Sequence, residues 1–506
     1  MRRQAILIGL AALALLSLGA LLGGRATVQP VVTDEIEFFE TGPALWRGEA
    51  PLSCGGLGWE ELLHHPTAYH LLLGAIAAAG GGELTPLAAR LPGIVALFLA
   101  AGLAGGLVWR WLGSTSGPAT AVAVALVLGS PLALQGALLV DIDTTLLAAG
   151  VLAFLYLAGR VTEREKPRGA ALVGLGIAFA ALLWIKLPTP VMALAALALA
   201  SLLTPGRRRL LLDVAIVAVL GSLLFATTWA LFCRSHGLDA LAPIDHLSGR
   251  GMARASVGVA TLAKRTLRLL LWLGPWLPAA AAANALPLWR EGGPGHLARR
   301  LVLAFVLVVV PGYLWLGGEA FGFPRYHMPL VACLAAMAVR DFVPSRRGAA
   351  LGLAALAYLL LVGDPLLPAY TFAESVALGD ASTAQAARDV AVRLALWLAP
   401  ALALPLLPRL RLDLRSTLVT LALACGVAAS AHQFLAPYST HYMYGERGER
   451  EARRLLAERA DPARLTLAPK DLAFRVLPCG TYIYSNRGLS SGLAAQLLER
   501  GALALF

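Results

Sequence analysis

The chain reads as a polytopic α-helical membrane protein, and three observations lead there. Of its 506 residues, 58% are hydrophobic and only 14% are charged, where soluble domains carry about 25% charged residues. The mean hydropathy is +0.71. Apolar stretches recur along most of the chain, many of them about 17–25 residues long, as a spanning helix requires. This composition excludes a soluble enzyme, a disordered chain and a secreted disulfide scaffold. An outer-membrane barrel is excluded as well, because its strands alternate and run only about ten residues.

The first apolar run, residues 5–22, follows Arg2 and Arg3. It is read as a retained first helix in preference to a cleaved signal peptide, and its basic flank places the N-terminus in the cytoplasm. Residues 25–65 are polar and would form an outer loop. The segment that follows, HPTAYHLLLGAIAAAGG, has about 14 apolar residues, which is short for a span; it is expected to lie on or dip into the interface. Further runs fall near 87–109, 118–139, 144–159, 169–186, 190–204, 210–232, 269–289, 301–317, 328–340, 348–362, 389–407 and 416–435. With the first helix they make about thirteen spans by length.

The loops test this count, because cytoplasmic loops carry an excess of Lys and Arg. Every second loop is basic, from Arg110 through Arg160, Arg164, Lys166 and Arg168, then Arg207–Arg209, Arg290 with Arg299 and Arg300, Arg340 with Arg346 and Arg347, to Arg409, Arg411 and Arg415. One loop breaks the rule. Residues 234–268, assigned outside, carry Arg234, Arg250, Arg254, Lys264, Arg265 and Arg268; either the topology differs there or the loop uses positive charge for anionic ligands. The formal net charge of +12 is thus accounted for by topology, and no nucleic-acid partner is inferred.

An odd number of spans puts residues 437–506 outside. From Gly445 the sequence turns charged, with a helix, strand-like runs near 464–468 and 481–485, a helix near 491–500 and a terminal ALALF. The expectation is a transmembrane module over 1–436, with a first outer loop and interfacial helices over 25–86, and a small extracytoplasmic α/β lobe over 437–506. The chain ends inside a strand-like run, which leaves room for a longer lobe. Among the five Cys, Cys333 and Cys425 lie in apolar runs and read as inert thiols. Cys54 and Cys479 would both lie outside, either joined by a disulfide or as separate thiols.

Ionisable residues at span edges are costly and point to function by default. In this topology they gather on the outer face: Asp34 and Glu35; His64 and His65; Asp141 and Asp143; Lys186; Asp245, His246 and Arg250; Arg325 and Tyr326. Each has a plainer reading. Asp34 and Glu35 are then solvated acids, His64 and His65 surface imidazoles, and Asp143 a helix cap. Lys186 snorkels, and Arg325 and Tyr326 anchor at the interface. The coincidence of carboxylates, imidazoles and cations from separate segments on one face favours a site. A carboxylate can accept a proton and cations can hold a departing phosphate, so the set suits an anionic lipid-linked substrate.

These residues, in this order, resemble the GT-C glycosyltransferases of family 39, the protein O-mannosyltransferase and lipid A aminoarabinose transferase type. The matching features are the acidic pair after the first helix (Asp34, Glu35), a His-Pro segment (His65, Pro66, Tyr69) and an Arg-Leu-Pro (Arg90, Leu91, Pro92). They continue with an Asp before a Leu-rich helix (Asp143, Leu146), a Lys near a Pro (Lys186), an acid–His pair (Asp245, His246) and a Pro-Arg-Tyr-x-x-Pro (Pro324, Arg325, Tyr326, Pro329). The resemblance covers most of residues 1–436. It implies a bacterial inner-membrane enzyme that moves a sugar from a polyprenyl-phosphate donor to a periplasmic lipid, glycan or protein, with inversion. Asp34 matches the proposed base and Asp143 a second acid, with Glu35 beside them. His65, Lys186, Arg250, Arg325 and Tyr326 match or lie near donor-phosphate contacts, with Asp141 and Asp245 at the margin. His246 matches a metal-binding His, and His64 stands where its carboxylate partner would be, so a divalent metal such as zinc, magnesium or manganese is implied only by the family. Two rival readings are a transporter or flippase, which predicts internal repeats and mid-bilayer polar residues, and a non-catalytic scaffold.

Overall fold

The computed structural model describes residues 2–29, 31, 34–48, 65–113, 117–144, 146–162, 169–204, 207–253, 257–292, 295–316, 324–363, 382–435 and 454–458, and the pairs 466–467, 482–483 and 504–505. Cys54, His64 and Cys479 lie outside the described residues, as do the side chains of Asp34, His246 and Arg250.

The chain is a multi-pass helical bundle. It opens with α1 (Arg2–Val28), α2 (Asp34–Trp46) and α3 (Ala68–Ala79). Then come α4 (Pro86–Leu112), α5 (Gly117–Leu128), α6 (Pro131–Ala137), α7 (Leu146–Thr162), α8 (Gly169–Ile185), α9 (Pro188–Leu202) and α10 (Arg207–His236). The second half holds α11 (Ala242–Ala253), α12 (Val259–Leu273), α13 (Trp276–Arg290), α14 (His296–Leu316), α15 (Met328–Ala338), α16 (Arg346–Val362), α17 (Thr383–Leu398), α18 (Leu407–Leu410) and α19 (Leu414–Leu435). Near the C-terminus, β1 (Thr466–Leu467), β2 (Tyr482–Ile483) and β3 (Ala504–Leu505) pair in parallel in the order β2-β1-β3.

Among the described residues six helices are long and apolar enough to cross a membrane, and eight if two bent pairs each count as one span. The sequence count of about thirteen is larger because several runs fold as shorter helices. The eleven residues of α15 are all buried, so this helix is enclosed by its neighbours and its polar ends can sit within the protein. The run near 118–139 is broken: α5 and α6 meet at 59° around Gly129, Ser130 and Pro131. A break strands a carbonyl that lipid cannot satisfy; Ser430 Oγ of α19 donates to Gly129 O at 2.9 Å.

The second bend lies at the end of the basic segment. Residues 234–268 are not an open loop: they contain α11 and most of α12, and α12 meets α13 at 96°. Gly274, at φ 69°, makes a turn that L side chains rarely adopt. The amphipathic α12 carries Lys264, Arg265 and Arg268 on one part of its surface while Leu269, Leu271, Trp272 and Leu273 are buried. Arg265 Nη1 donates to Leu314 O at 2.7 Å and Trp315 O at 3.1 Å. Its charge therefore closes the C-terminal end of α14, where orphan carbonyls favour a cation.

Helices approach closely where they carry glycine, as membrane bundles do. A Cβ on Gly74 of α3 would lie 2.4 Å from Gly42 O of α2, and one on Gly221 of α10 would lie 2.8 Å from Gly176 O of α8. The first of these contacts holds α2, and with it the start of the site.

Candidate active site

The site forms where irregular backbone joins helices at one end of the bundle. Its centre is the connection 138–144 between α6 and α7. The Asp141 carboxylate accepts the Asp143 backbone N–H at 2.8 Å, an Asx turn that shapes this segment. Lys186 directly follows α8, where the helix dipole favours a cation. Its Nζ donates to both Asp143 oxygens, at 2.7 and 2.6 Å, and the pair is buried, 2% and 4% exposed. Pro324 precedes a short 3₁₀ turn, Arg325–His327. That turn brings Arg325 Nη1 to Asp141 Oδ2 at 2.5 Å and lays the Tyr326 ring under Lys186, Nζ lying 3.8 Å from the ring centroid. Such a contact over a desolvated ring contributes about 2 kcal/mol. Tyr326 also packs on Tyr313 of α14, centroids 5.0 Å apart, and the Tyr313 hydroxyl meets Thr189 at the start of α9.

A further ion pair braces the cluster from behind. Arg90 of α4, fully buried, donates to Glu35 at 3.1 Å and to the Ala26 and Gln29 carbonyls at 2.9 and 2.7 Å. Glu35 in turn accepts the Val140 N–H at 2.9 Å. The end of α1, the start of α2 and the 138–144 connection are thus tied together through one guanidinium. Breaking such a pair leaves an uncompensated buried charge and costs about 3–5 kcal/mol.

The structure therefore brings together Glu35, Asp141, Asp143, Lys186, Arg325 and Tyr326. Glu35, grouped with the catalytic acids from the sequence, is 1% exposed and engages both oxygens with Arg90. Asp34 is the first residue of α2, immediately before Glu35, and so stands at the same end as Asp143. Asp245 is exposed in the first turn of α11 and takes no part in the cluster's hydrogen bonds among the described residues. His65 is half-buried in the turn leading to α3, whose Tyr69 and His70 rings pack on Phe38 of α2 at 5.2 and 4.8 Å. Arg90, Tyr313 and Thr189 carry parts of the geometry that the sequence reading gave no role; a lone Arg entering the apolar run PLAARLPGIV was the available signal.

Burial pushes the Asp143 carboxyl up to about 6, with Lys186 pulling against that rise and Asp141 adding to it. Among the described residues no three His, Cys, Asp or Glu side chains converge on a possible metal position; His64 and the His246 side chain are outside that set.

The bundle, with short buried helices, a broken first half and a polar cluster at one end, has the GT-C fold of the solved structures described next. Residues 64–232 match the family described as dolichyl-phosphate-mannose-protein mannosyltransferase. Among solved structures, the chain is similar to ArnT from Cupriavidus metallidurans bound to undecaprenyl phosphate, with 15% identity, a TM-score of 0.65, and coverage of 97% of this chain and 89% of that one. The apo form of the same protein gives 15% identity, a TM-score of 0.62, and coverage of 100% and 90%. Comparison with curated proteins finds no match.

Proposed function

We propose that the chain is a membrane glycosyltransferase that takes a sugar from a polyprenyl-phosphate donor and passes it to a hydroxyl of an extracytoplasmic lipid, glycan or protein, in a bacterial inner membrane. The observation that carries this reading is the pairing of two cations, Lys186 and Arg325, with two acids, Asp143 and Asp141, around Tyr326 at one end of the bundle. The family match over 64–232 and the undecaprenyl phosphate bound by a protein of the same fold support it.

The chemistry follows from the residues. A neutral hydroxyl is a poor nucleophile, so a carboxylate takes its proton as the oxygen attacks the anomeric carbon; Asp34 is the residue we assign. The bond from that carbon to the phosphate oxygen breaks from the opposite side, which inverts the centre, and its electron pair leaves with the lipid phosphate. Lys186 and Arg325 face the charge that develops there. An ammonium has three donors, and Lys186 gives two of them to Asp143. Fixed cations in a partly dry site stabilise such charge better than water does. Asp143 and Asp141 hold the two cations, and Arg325 is the more exposed of them, at 18%. No step is assigned to a metal.

The test is transfer itself. Purified protein in nanodiscs with a radiolabelled polyprenyl-phosphate sugar and envelope acceptors should release labelled product, and Asp34→Asn should lose it while still binding polyprenyl phosphate. Unchanged transfer by Asp34→Asn would remove the base assignment.

A further inference from the structure

The opposite end of α15 from the acid–cation cluster borders a cavity of about 530 Å³. It lies between the turn after α15, the first turns of α16 and α19, and Val122 of α5. Phe342, Val343, Val419 and Leu423 make its walls apolar. The wall hydroxyls are used within the walls: Ser416 Oγ accepts the Val343 N–H at 3.0 Å, and Thr417 and Thr420 donate to Asp413 O and Ser416 O at 2.8 Å each. The interior therefore suits a hydrocarbon.

The rim is different. Arg411 is exposed and lines the mouth itself, Arg346 and Arg347 are exposed in the chain between the lining residues Ser345 and Gly348, and Arg409 is exposed two residues before Arg411. The acids nearby are already engaged. Asp341 is held by Arg340 and Arg415, and the Asp413 carboxylate accepts the Ser416 N–H at 3.0 Å as the cap of α19. An apolar slot under a positive rim in a membrane protein matches a lipid with a negative headgroup, since basic pockets between helices bind such headgroups. Its volume falls in the usual range of ligand pockets, about 300–1,000 Å³.

We infer that this cavity holds an acyl chain of an anionic phospholipid, with the headgroup phosphate on Arg411 and its neighbours. The site is separate from the donor site, and its failure leaves the glycosyltransferase reading standing.

The full-length protein, stripped of lipid in neutral detergent, is examined by native mass spectrometry with dioleoyl phosphatidylglycerol, dioleoyl phosphatidylcholine and sn-glycerol 3-phosphate. Arg411 has a left-handed backbone, φ 52°, which Asn tolerates, so Arg411→Asn removes the charge and keeps the turn. Ala349→Trp, on an exposed wall position, fills the slot. Phosphatidylglycerol should bind more tightly than phosphatidylcholine, and Arg411→Asn should weaken it about fivefold. Ala349→Trp should abolish it, and glycerol 3-phosphate should neither bind nor compete. Equal binding of the two lipids, full competition by glycerol 3-phosphate, or binding unaffected by Ala349→Trp would each overturn the inference. Binding of polyprenyl phosphate at the other end reports that both variants are folded.

Discussion

The two ends of α15 use the same residue types in opposite ways. At the site end, Arg90, Lys186 and Arg325 each meet a carboxylate, and the Arg90–Glu35 and Lys186–Asp143 pairs are almost wholly enclosed. At the other end, Arg415 and Arg340 share Asp341 with a third or more of the Arg415 side chain exposed. Burial decides what these contacts contribute. A desolvated pair is costly to form and more costly to break, so it fixes geometry; an exposed pair contributes about 0–1 kcal/mol and mainly sets local charge.

The largest expected effect lies in the buried brace. Arg90→Met leaves Glu35 unpaired and should lower stability by about 3–5 kcal/mol, seen as a drop in the unfolding midpoint in detergent. Adding Glu35→Gln should recover part of it; a single variant as mild as a surface change would break the contrast between the ends. Next comes Lys186→Met, which should cut transfer by about 10²–10³-fold with a smaller change in unfolding than Arg90→Met. Gly74→Val comes third: its side chain must displace the Gly42 backbone 2.4 Å away, and overpacking of this kind costs about 1–3 kcal/mol. Tilting α2 also moves Asp34, so transfer should fall with stability.

The pH response sharpens the comparison. Folding raises the Asp143 carboxyl from 3.8 to about 6, so the folded chain binds this proton more tightly than the unfolded chain. This group therefore favours folding at low pH, and that contribution is lost as pH rises through about 6. Transfer runs the other way, because ionised Asp143 orders Lys186. Activity should rise between pH 5 and 7, and Asp143→Asn should remove that limb from the profile. The smallest effect belongs to the far end: Arg415→Gln should cost less than about 1 kcal/mol and leave transfer unchanged.

What the sequence disclosed was which polar residues sit at the ends of apolar runs. Asp141, Asp143, Lys186 and Arg325 were legible because each interrupts hydrophobic sequence. Their pairing was not, because Arg325 and Asp141 are 184 residues apart and spacing says nothing about contacts at that range. The short helix after His65 was legible from its length, and α3 is 12 residues. The break at Gly129–Ser130–Pro131 was signalled by turn residues but masked by unbroken hydropathy. The 96° corner at Gly274 was hidden in the same way, since a hydropathy window merges an amphipathic helix with the apolar one that follows. Glu35 looked like its neighbour Asp34 because a carboxylate's role depends on what surrounds it, and only the fold places Arg90 there.

The assignment on which the mechanism turns is a lipid-linked phosphate held by Lys186 and Arg325. It is tested most directly by titrating polyprenyl phosphate into the protein in nanodiscs containing phosphatidylglycerol, for the native chain and for the Lys186→Met/Arg325→Met variant. The native chain should bind saturably and the double variant should lose that binding, with Arg415→Gln unaffected. Equal affinity for all three would contradict it.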